Sequence, residues 1–333
     1  MSGFELRDAT RADGEELNAL FNRVFRTPAD SRPPRSPAAW DWRYRGDPIA
    51  SHSSVAVDRE SGRIVAHVGG LCMPTWCRGR VRPTALSVDN MVDPEWRRGL
   101  KRMGLFARLV NHWVDSWFGC DRDFLAWGFP THDNFRIGQR FSKYSLVRPL
   151  NVLVAEDLGA VRESHPGVRV RLSSRLDPEL DALWERSRAG MEMGVVRDHA
   201  YLQWRYAEHP ETHYELLEAR DARSGALRGL AVLRDGGLAE DALMLVDWLV
   251  PLEDEAAAAG LRSAVAERAI EADAGVLLTW FPEGVPWFER FQRKGFHVRF
   301  TPLIHVARSW DRSVRISELR RDFYATLGDI DSY

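Results

Sequence analysis

A cluster of positively charged side chains precedes a segment with helical periodicity. It contains four cations and two glycines, namely Arg97, Arg98, Gly99, Lys101, Arg102 and Gly104. The amino terminus of a helix favours acids, so four cations there oppose the helix dipole. A bound anion resolves this conflict, because helix amides bind phosphate and glycine permits close approach. The pattern predicts a phosphate-binding segment, and the alternative is a solvated basic turn that opens a helix.

Acid–base groups occur at two further places. Asp89 lies on a predicted strand before the basic segment, where a carboxylate could act as a base, bind an amine, or hold the strand by hydrogen bonds. The run from Thr131 to Asn134 opens a predicted helix, and its His132 could also serve as a base. The alternative for this run is an N-cap cluster, because Thr, Asp and Asn favour that position for capping alone.

The three cysteines, Cys72, Cys77 and Cys120, predict no metal site, because the first two are too far apart for a CxxC pair and no histidine pair lies near them in sequence. A low, odd number of cysteines indicates a reducing compartment. The polar N-terminus is not that of a signal peptide, and no run of about 18 apolar residues is present. A net charge of -2 argues against nucleic acid as a partner. We therefore expect a cytoplasmic protein that binds neither membrane nor nucleic acid.

An internal repeat reveals the elements that must position these residues. A chain of 333 residues is long for one core, since cores divide beyond roughly 250–300 residues. The sequence Trp-Arg-Tyr-x3-Pro begins at residue 42 and again at residue 204. After each copy come two β-rich runs around a turn, at Ser61-Gly62 and at Ser224-Gly225, which is typical of a hairpin.

Both halves continue in the same way. An apolar strand ends at Pro94 in the first half and at Pro251 in the second. An amphipathic helix follows, with apolar residues at every fourth position from 105 to 117 in the first half. A strand with an aromatic–proline corner comes next, then a short helix and a last strand, which begins near Tyr144 in the first half and near Phe296 in the second. Each half therefore reads β-α-α-β-β-β-α-β-α-β.

This element order predicts an α+β fold with two tandem domains, each a twisted mixed sheet flanked by helices. The predicted domains are residues 1–155 and 156–333. The repeated Trp-Arg-Tyr favours a packing role over a catalytic one, because one copy lies in a half without a basic segment. The last residues, 323–331, are acidic and are predicted to be exposed.

Three motifs in fixed order resemble the GNAT N-acetyltransferase superfamily, and in particular its bacterial two-domain members. They are Trp-Arg-Tyr-x3-Pro, Val-Asp-Pro-Glu-Trp-Arg-Arg-Gly at 92–99, and Trp-Gly-Phe-Pro at 127–130. The likeness covers nearly the whole chain. It implies an N-acyltransferase whose co-substrate is an acyl-CoA, with acetyl-CoA expected, and whose acceptor is a small amine such as an amino sugar or an amino-acid-derived amine.

The resemblance also implies where the cofactor lies. In this family the pantetheine runs between splayed fourth and fifth strands, and the loop into the next helix wraps the pyrophosphate. The implied cofactor-binding residues are Met91, Val92, Arg97, Arg98, Gly99, Lys101, Arg102, Met103, Gly104, Thr131 and Asn134. The glycine spacing departs from the family pattern Arg/Gln-x-x-Gly-x-Gly/Ala, so the loop register is open. The second half has Leu-Glu-Asp-Glu at 252–255 instead, and we expect it to bind no CoA.

In this family the amine attacks the thioester directly, which requires a base and a group that stabilises the departing thiolate. The implied catalytic residues are Asp89, His132 and Tyr144. Tyr144 aligns with Phe296 in the repeat, so a packing aromatic is the alternative for it. Two other functions stay open: a degenerate tandem module that binds without catalysis, and a Fem-type transferase that takes its acyl group from aminoacyl-tRNA.

Overall fold

The computed structural model describes residues 3–26, 33–97, 104–130, 132–163, 165–238 and 241–330. Its fold is α+β, and both halves contain the predicted elements in the predicted order. The structure adds elements that the prediction lacked, namely short strands at Ala50–Ser51 and Met193–Val195, a helix at Ile316–Asp322 and a strand at Phe323–Tyr324. The two predicted hairpin turns are present, with Gly62 at φ 71° and Gly225 at φ 77°. Glycine adopts positive φ without the steric cost that other residues meet, so these turns are encoded locally.

The helices and strands of the first half are, in chain order, β1 (Phe4–Asp8), α1 (Gly14–Phe25), α2 (Pro37–Tyr44), β2 (Ala50–Ser51), β3 (Ser54–Asp58), β4 (Ile64–Cys77), β5 (Arg80–Val92), α3 (Leu105–Trp117), β6 (Leu125–Gly128), α4 (His132–Phe141) and β7 (Ser145–Ala155). Single 3-10 turns lie at Arg11–Asp13 and Pro94–Trp96.

The second half contains β8 (Val168–Ser173), α5 (Glu179–Ser187), β9 (Met193–Val195), α6 (His199–Leu202), β10 (Glu215–Asp221), β11 (Leu227–Asp235), β12 (Ala242–Leu249), α7 (Glu255–Glu271), β13 (Val276–Thr279), α8 (Pro286–Gln292), β14 (His297–Ser309), α9 (Ile316–Asp322) and β15 (Phe323–Tyr324). Helix α6 continues into a π-helical turn at Gln203–Ala207, and 3-10 turns lie at Arg188–Gly190 and Leu327–Asp329.

Two compact units make up the chain, and each takes a short segment from the other half. The first consists of Met1–Pro74, Arg82–Leu146 and His305–Ile316; the second consists of Thr75–Val81, Val147–Ile304 and Ser317–Tyr333. Strand β14 thus gives its first residues to the second unit and its last residues to the first. The predicted domains, 1–155 and 156–333, follow chain order and contain no such exchange.

The sheet of the first unit has the strand order β1, β3, β4, β5, β6 and the end of β14. Strands β5 and β6 run parallel, and β14 pairs with β6 antiparallel. Helix α3 buries Leu109, Val110 and Trp113 against β3 and β4 residues such as Ala56 and Val65. Burying an aliphatic side chain of this size stabilises the fold by about 1.5–3 kcal/mol, so the apolar face fixes the helix beside the candidate site.

The sheet of the second unit has the order β14, β7, β13, β12, β11, β10 and β8. Strand β9 pairs with β15 and with the end of β4. The hydrophobic core of the second unit includes Trp248, Leu261, Phe291 and Tyr324. Among the described helices of the chain, none combines the length and the apolar character needed to cross a bilayer.

Candidate functional site

Strands β5 and β6 separate soon after they meet. Within residues 85–97 and 125–130, which are all described, their parallel ladder joins only Ala85 to Ala126 and Leu86 to Trp127. A Cβ atom on Gly128 would lie 3.0 Å from the carbonyl oxygen of Ser87, so the strands are still close at that point. Among the described residues, the backbone of β5 after Leu86 has no strand partner on its β6 side. Strands β5 and β6 are the fourth and fifth strands of the predicted order, which does not count the two-residue strand β2. They therefore form the splay expected of the fold.

Asp89 lies on β5 within this splay and has φ 49°, a left-handed conformation. A residue other than glycine holds this conformation at a cost of about 1–3 kcal/mol, which other contacts must offset. The contacts are supplied by Arg35, which donates to both carboxylate oxygens at 2.6 and 3.0 Å, and by the Tyr44 hydroxyl at 2.7 Å. Arg43 lies 3.7 Å from the carboxylate. Two residues of the first Trp-Arg-Tyr motif, Arg43 and Tyr44, therefore hold β5 in place through the Asp89 carboxylate.

The charge state of Asp89 follows from these contacts. Burial opposes ionisation, but the guanidinium groups of Arg35 and Arg43 outweigh it and hold the pKa of the Asp89 carboxyl well below its usual range. The backbone carbonyl of Asp89 is also engaged, by Nδ1 of His67 at 2.9 Å. Burial lowers the pKa of His67, which is a neutral histidine of the core. The geometry favours a positioning role for Asp89.

Beyond the splay, the structure describes part of the predicted cofactor segment. Met91 is buried, and the carbonyl of Val92 accepts a hydrogen bond from Nε of Arg97 at 3.0 Å. Arg97 itself is exposed. Gly104 is the N-cap of α3 and offers no side-chain cap to the helix amides. The predicted residues Arg98, Gly99, Lys101, Arg102 and Met103 lie outside the described residues.

The predicted residues after β6 are described only in part. His132 is the first residue of α4, and Asn134 is exposed in its first turn. Thr131 lies outside the described residues, as does the side chain of His132. The structure therefore places the start of α4 directly after the Trp-Gly-Phe-Pro corner, without giving the geometry of the candidate base.

Tyr144 lies beside β5, where it interacts with two polar groups. Its side chain is half-buried, and burial raises the pKa of its hydroxyl, while a hydrogen bond to Ser87 and the charge of Arg308 oppose that rise. The Ser87 hydroxyl also accepts a hydrogen bond from the amide of Asn90 at 2.9 Å. The side-chain oxygen of Asn90 is buried and has no hydrogen-bond partner among the described residues. Ser87, Asn90 and Tyr144 thus form a polar group at the splay, of which only Tyr144 was predicted.

The second unit contains a charged cluster of the same kind. The hydroxyl of Tyr206, from the second Trp-Arg-Tyr, donates to Asp247 on β12 at 2.7 Å. Nε of Arg197 donates to the same carboxylate at 2.9 Å. Arg35 and Arg197 each precede the tyrosine of their motif by the same number of residues. Extending the repeat upstream of Trp-Arg-Tyr is the sequence signal that could have found both arginines.

The splay of the second unit is covered by the C-terminal segment of the chain, residues 323–330. Strands β12 and β13 pair from Ala242 with Val276 to Leu245 with Thr279. Beyond Leu245, the Tyr324 hydroxyl donates to the carbonyl of Trp248. A Cβ atom on Gly328 would lie 3.1 Å from the carbonyl of Val246, so the segment packs closely on the β12 backbone.

The C-terminal segment is fixed by charge as well as by packing. Arg197 donates to Asp329 at 2.6 Å, and the Thr326 hydroxyl donates to Asp247 at 3.1 Å. All residues from 323 to 330 are buried. The prediction that this acidic segment is exposed was wrong, because the buried guanidinium of Arg197 compensates its carboxylate.

A separate cleft of about 540 Å³ lies in the second unit and involves none of the predicted site residues. Its charged groups are already paired. Arg162 lies 3.2 Å from Glu267, and Glu163 pairs with Arg262 at 2.9 Å and with Lys294. With these charges neutralised locally, the cleft offers less to a charged ligand than the splay of the first unit.

Solved acyltransferases share the fold built around these splayed strands. A GCN5-related N-acetyltransferase from Anabaena variabilis superposes with a TM-score of 0.68 at 14% identity, over 92% of this chain and 73% of that one. One from Kribbella flavida gives a TM-score of 0.60 at 17% identity, over 92% and 71% of the two chains. The N-myristoyltransferase of Saccharomyces cerevisiae, solved with bound myristoyl-CoA, gives 0.55 at 12% identity, over 92% and 83%.

No protein-family model matches the chain, and no curated protein sequence matches it. The structural similarity shows that the chain has the GNAT fold, which the sequence motifs implied. The predicted fold class, α+β with helices on a mixed sheet of GNAT-like type, is confirmed.

Proposed function

We propose that this protein is an acyl-CoA-dependent N-acyltransferase that transfers an acyl group, with acetyl as the expected group, to a small amine. The observation that carries the proposal is the unpaired edge of β5 after Leu86, which is followed along the chain by the glycine-containing basic segment. An extended strand edge without a neighbouring strand can pair with the amides of pantetheine. The similarity to N-myristoyltransferase solved with myristoyl-CoA supports this assignment.

We assign the cofactor to the first unit. Its pantetheine would run along β5 near Met91 and Val92, and Thr131 and Asn134 would approach it from the start of α4. Its pyrophosphate would face the segment from Arg97 to Gly104. Gly104 leaves the first amides of α3 without a side-chain cap, and such amides bind phosphate.

The reaction requires few groups from the protein. The amine nitrogen attacks the thioester carbonyl, the C–N bond forms, and the C–S bond breaks as CoA leaves. The proton lost by the amine nitrogen ends on the CoA sulfur, and the proton of the initial ammonium passes to solvent through a base. We propose Tyr144 as the donor that stabilises the departing sulfur, since burial keeps its hydroxyl protonated at neutral pH.

Two further residues receive proposed roles. His132 remains our candidate base, because it opens α4 directly after β6. The Asn90 side-chain oxygen, buried and without a partner among the described residues, can accept a hydrogen bond from an N–H of the cofactor or the acceptor. For Asp89 we propose positioning rather than proton transfer, because Arg35 holds it as a stable carboxylate.

We further propose one cofactor site per chain. In the second unit the β12 edge is covered by residues 323–330. Asp254 caps the helix that follows, α7, by accepting from the amide of Ala257 at 3.0 Å. An acid at this position meets the need of the helix terminus and repels pyrophosphate.

Calorimetric titration of the 333-residue chain with acetyl-CoA and desulfo-CoA tests the cofactor site. We expect one ligand per chain and at least about tenfold weaker binding when Arg97 and Arg98 are both changed to Ala, about 1.4 kcal/mol. The control is Arg293→Ala, which removes an exposed arginine of the second unit and should leave affinity unchanged. Two ligands per chain would contradict the assignment of the second unit, and absence of binding would refute the proposal.

Turnover is measured separately, as release of free thiol from acetyl-CoA with amino sugars and amino-acid-derived amines. Release above the hydrolysis background by any of these amines supports the enzyme. Binding without release for every amine would favour a non-catalytic module. Salt-sensitive binding of tRNA in place of CoA would favour a Fem-type transferase.

A further inference from the structure

Three side chains with metal-binding chemistry meet in the first unit, away from the splay residues discussed above. His52 lies between β2 and β3, Cys72 lies on β4, and Asp123 lies two residues before the start of β6. Their ligand atoms all lie within 4.8 Å of one another. They are far apart in sequence, so the cysteine spacing that predicted no metal site could not reveal them.

The distances among the three are close to those of a shared ion. Nδ1 of His52 lies 2.5 Å from one oxygen of Asp123, and Sγ of Cys72 lies 3.7 Å from the other. Ligand atoms about 2.0–2.3 Å from a tetrahedral ion lie roughly 3.3–3.8 Å from one another. The thiol is already at this separation, and the histidine and the aspartate need to part by only about 1 Å.

The Asp123 side chain is completely buried, where a carboxylate is costly unless partners compensate it; its contacts include Nδ1 of His52 on one oxygen and the Cys72 thiol on the other. Burial, together with the neighbouring Asp123, raises the pKa of the Cys72 thiol to about 12, so this thiol must lose its proton as the ion binds. The resulting thiolate and the carboxylate then balance one divalent ion, with the neutral imidazole as a third ligand. Thiolate and imidazole ligands select ions of the zinc type over magnesium or calcium.

The surrounding structure holds the histidine in place. Its ring stacks on Trp117 with centroids 4.3 Å apart and an angle of 8° between the planes. Its backbone carbonyl accepts from Nε1 of Trp113 at 2.6 Å, and its amide donates to Gly70 at 2.8 Å. A ligand whose ring and backbone are fixed binds with little loss of conformational entropy.

We propose that His52, Cys72 and Asp123 bind one divalent thiophilic cation of the zinc type, with a water molecule in the fourth position. The ion joins β4 to the segments that precede β3 and β6, and so fastens the sheet of the first unit. The proposal does not depend on the acyltransferase assignment, because the ion takes no part in the transfer reaction.

The test is titration of the chelator-stripped, fully reduced chain with Co²⁺. We expect a thiolate-to-cobalt charge-transfer band and the visible bands of tetrahedral Co²⁺, both saturating at one ion per chain and both abolished by one equivalent of Zn²⁺. The near-isosteric Cys72→Ser variant should lose the charge-transfer band. The matched controls Cys77→Ser and Cys120→Ser should keep it.

A second readout is thermal unfolding with and without Zn²⁺. Zinc should raise the Tm of the wild type and of both control variants, since a ligand of the folded state stabilises it, and should leave Cys72→Ser unchanged. If the wild type shows no saturable cobalt band, or if Cys72→Ser shows the same band, the proposal is overturned. His52 and Asp123 then form an ordinary hydrogen-bonded pair beside a neutral thiol.

Discussion

Both units build the same charged cluster beside their fourth strands, and they use the neighbouring splay differently. Asp89 of the first unit and Asp247 of the second each accept from the tyrosine of a Trp-Arg-Tyr motif at 2.7 Å. Each also pairs with an arginine upstream of that motif. Because the cluster recurs beside a splay that is already covered, it belongs to the scaffold of the fold.

The features that are not repeated indicate where function lies. The first unit has a basic segment after its fourth strand, whereas the second has acids. Tyr144 reaches Ser87 at the open edge, whereas its counterpart Phe296 is buried against Phe291. Backbone groups at a strand edge need partners, and the second unit supplies them from residues 323–330. In the first unit, we propose that a ligand supplies these partners.

The largest effect is expected when the cluster of the second unit is broken. Arg197→Met leaves Asp247 and Asp329 buried without their cation, which should lower the free energy of unfolding by about 3–5 kcal/mol. Arg35→Met should lower the free energy of unfolding by less, because the Asp89 carboxylate still has the guanidinium of Arg43 at 3.7 Å. Denaturant unfolding measures both variants, and Asp329→Asn serves if Arg197→Met is insoluble. If Arg35→Met lost as much stability as Arg197→Met, or more, the expected difference between the two clusters would be contradicted.

Tyr144 and Phe296 occupy corresponding positions in the two units, and removing the Tyr144 hydroxyl tests whether the two residues differ in function. Tyr144→Phe should lower kcat about 100-fold and leave the Kd for CoA within about twofold, because the hydroxyl acts only on the departing sulfur. Since burial raises its pKa, the wild-type group stays protonated and kcat should show no alkaline loss from it below about pH 10. Steady-state kinetics across pH measure both effects. An unchanged kcat would assign Tyr144 the packing role of Phe296.

The two motif tyrosines should behave alike. Tyr44→Phe and Tyr206→Phe each remove one hydrogen bond to a buried carboxylate, and each should lower the free energy of unfolding by about 1.5–2 kcal/mol. The kcat of the Tyr44→Phe enzyme should change by no more than a few-fold at a temperature where it is folded. Loss of activity without loss of stability would show that the first motif has a catalytic role that the second lacks.

Much of the fold was predictable, because the signals are local. The hairpin turns need Gly62 and Gly225 at positive φ, and α3 needs an apolar residue at every fourth position. The candidate site was harder to predict from the sequence. Asp89 was found as a strand carboxylate, but its partner Arg35 lies 54 residues away in the segment before α2, and only the tertiary fold brings them together. Asn90 and Ser87 were missed because a polar residue on a strand gives no sign of which edge it faces.

The sequence by itself determined the repeat, the order of elements and the loss of the basic segment from the second half, since each follows from residue types within a short window. The tertiary structure alone decided that the acidic segment 323–330 is buried, that β14 serves both units, and that His52, Cys72 and Asp123 meet. The physical reason is that charge and polarity predict exposure only for a group without a partner. Arg197 compensates Asp329 from 132 residues away, a distance over which only the folded chain can act.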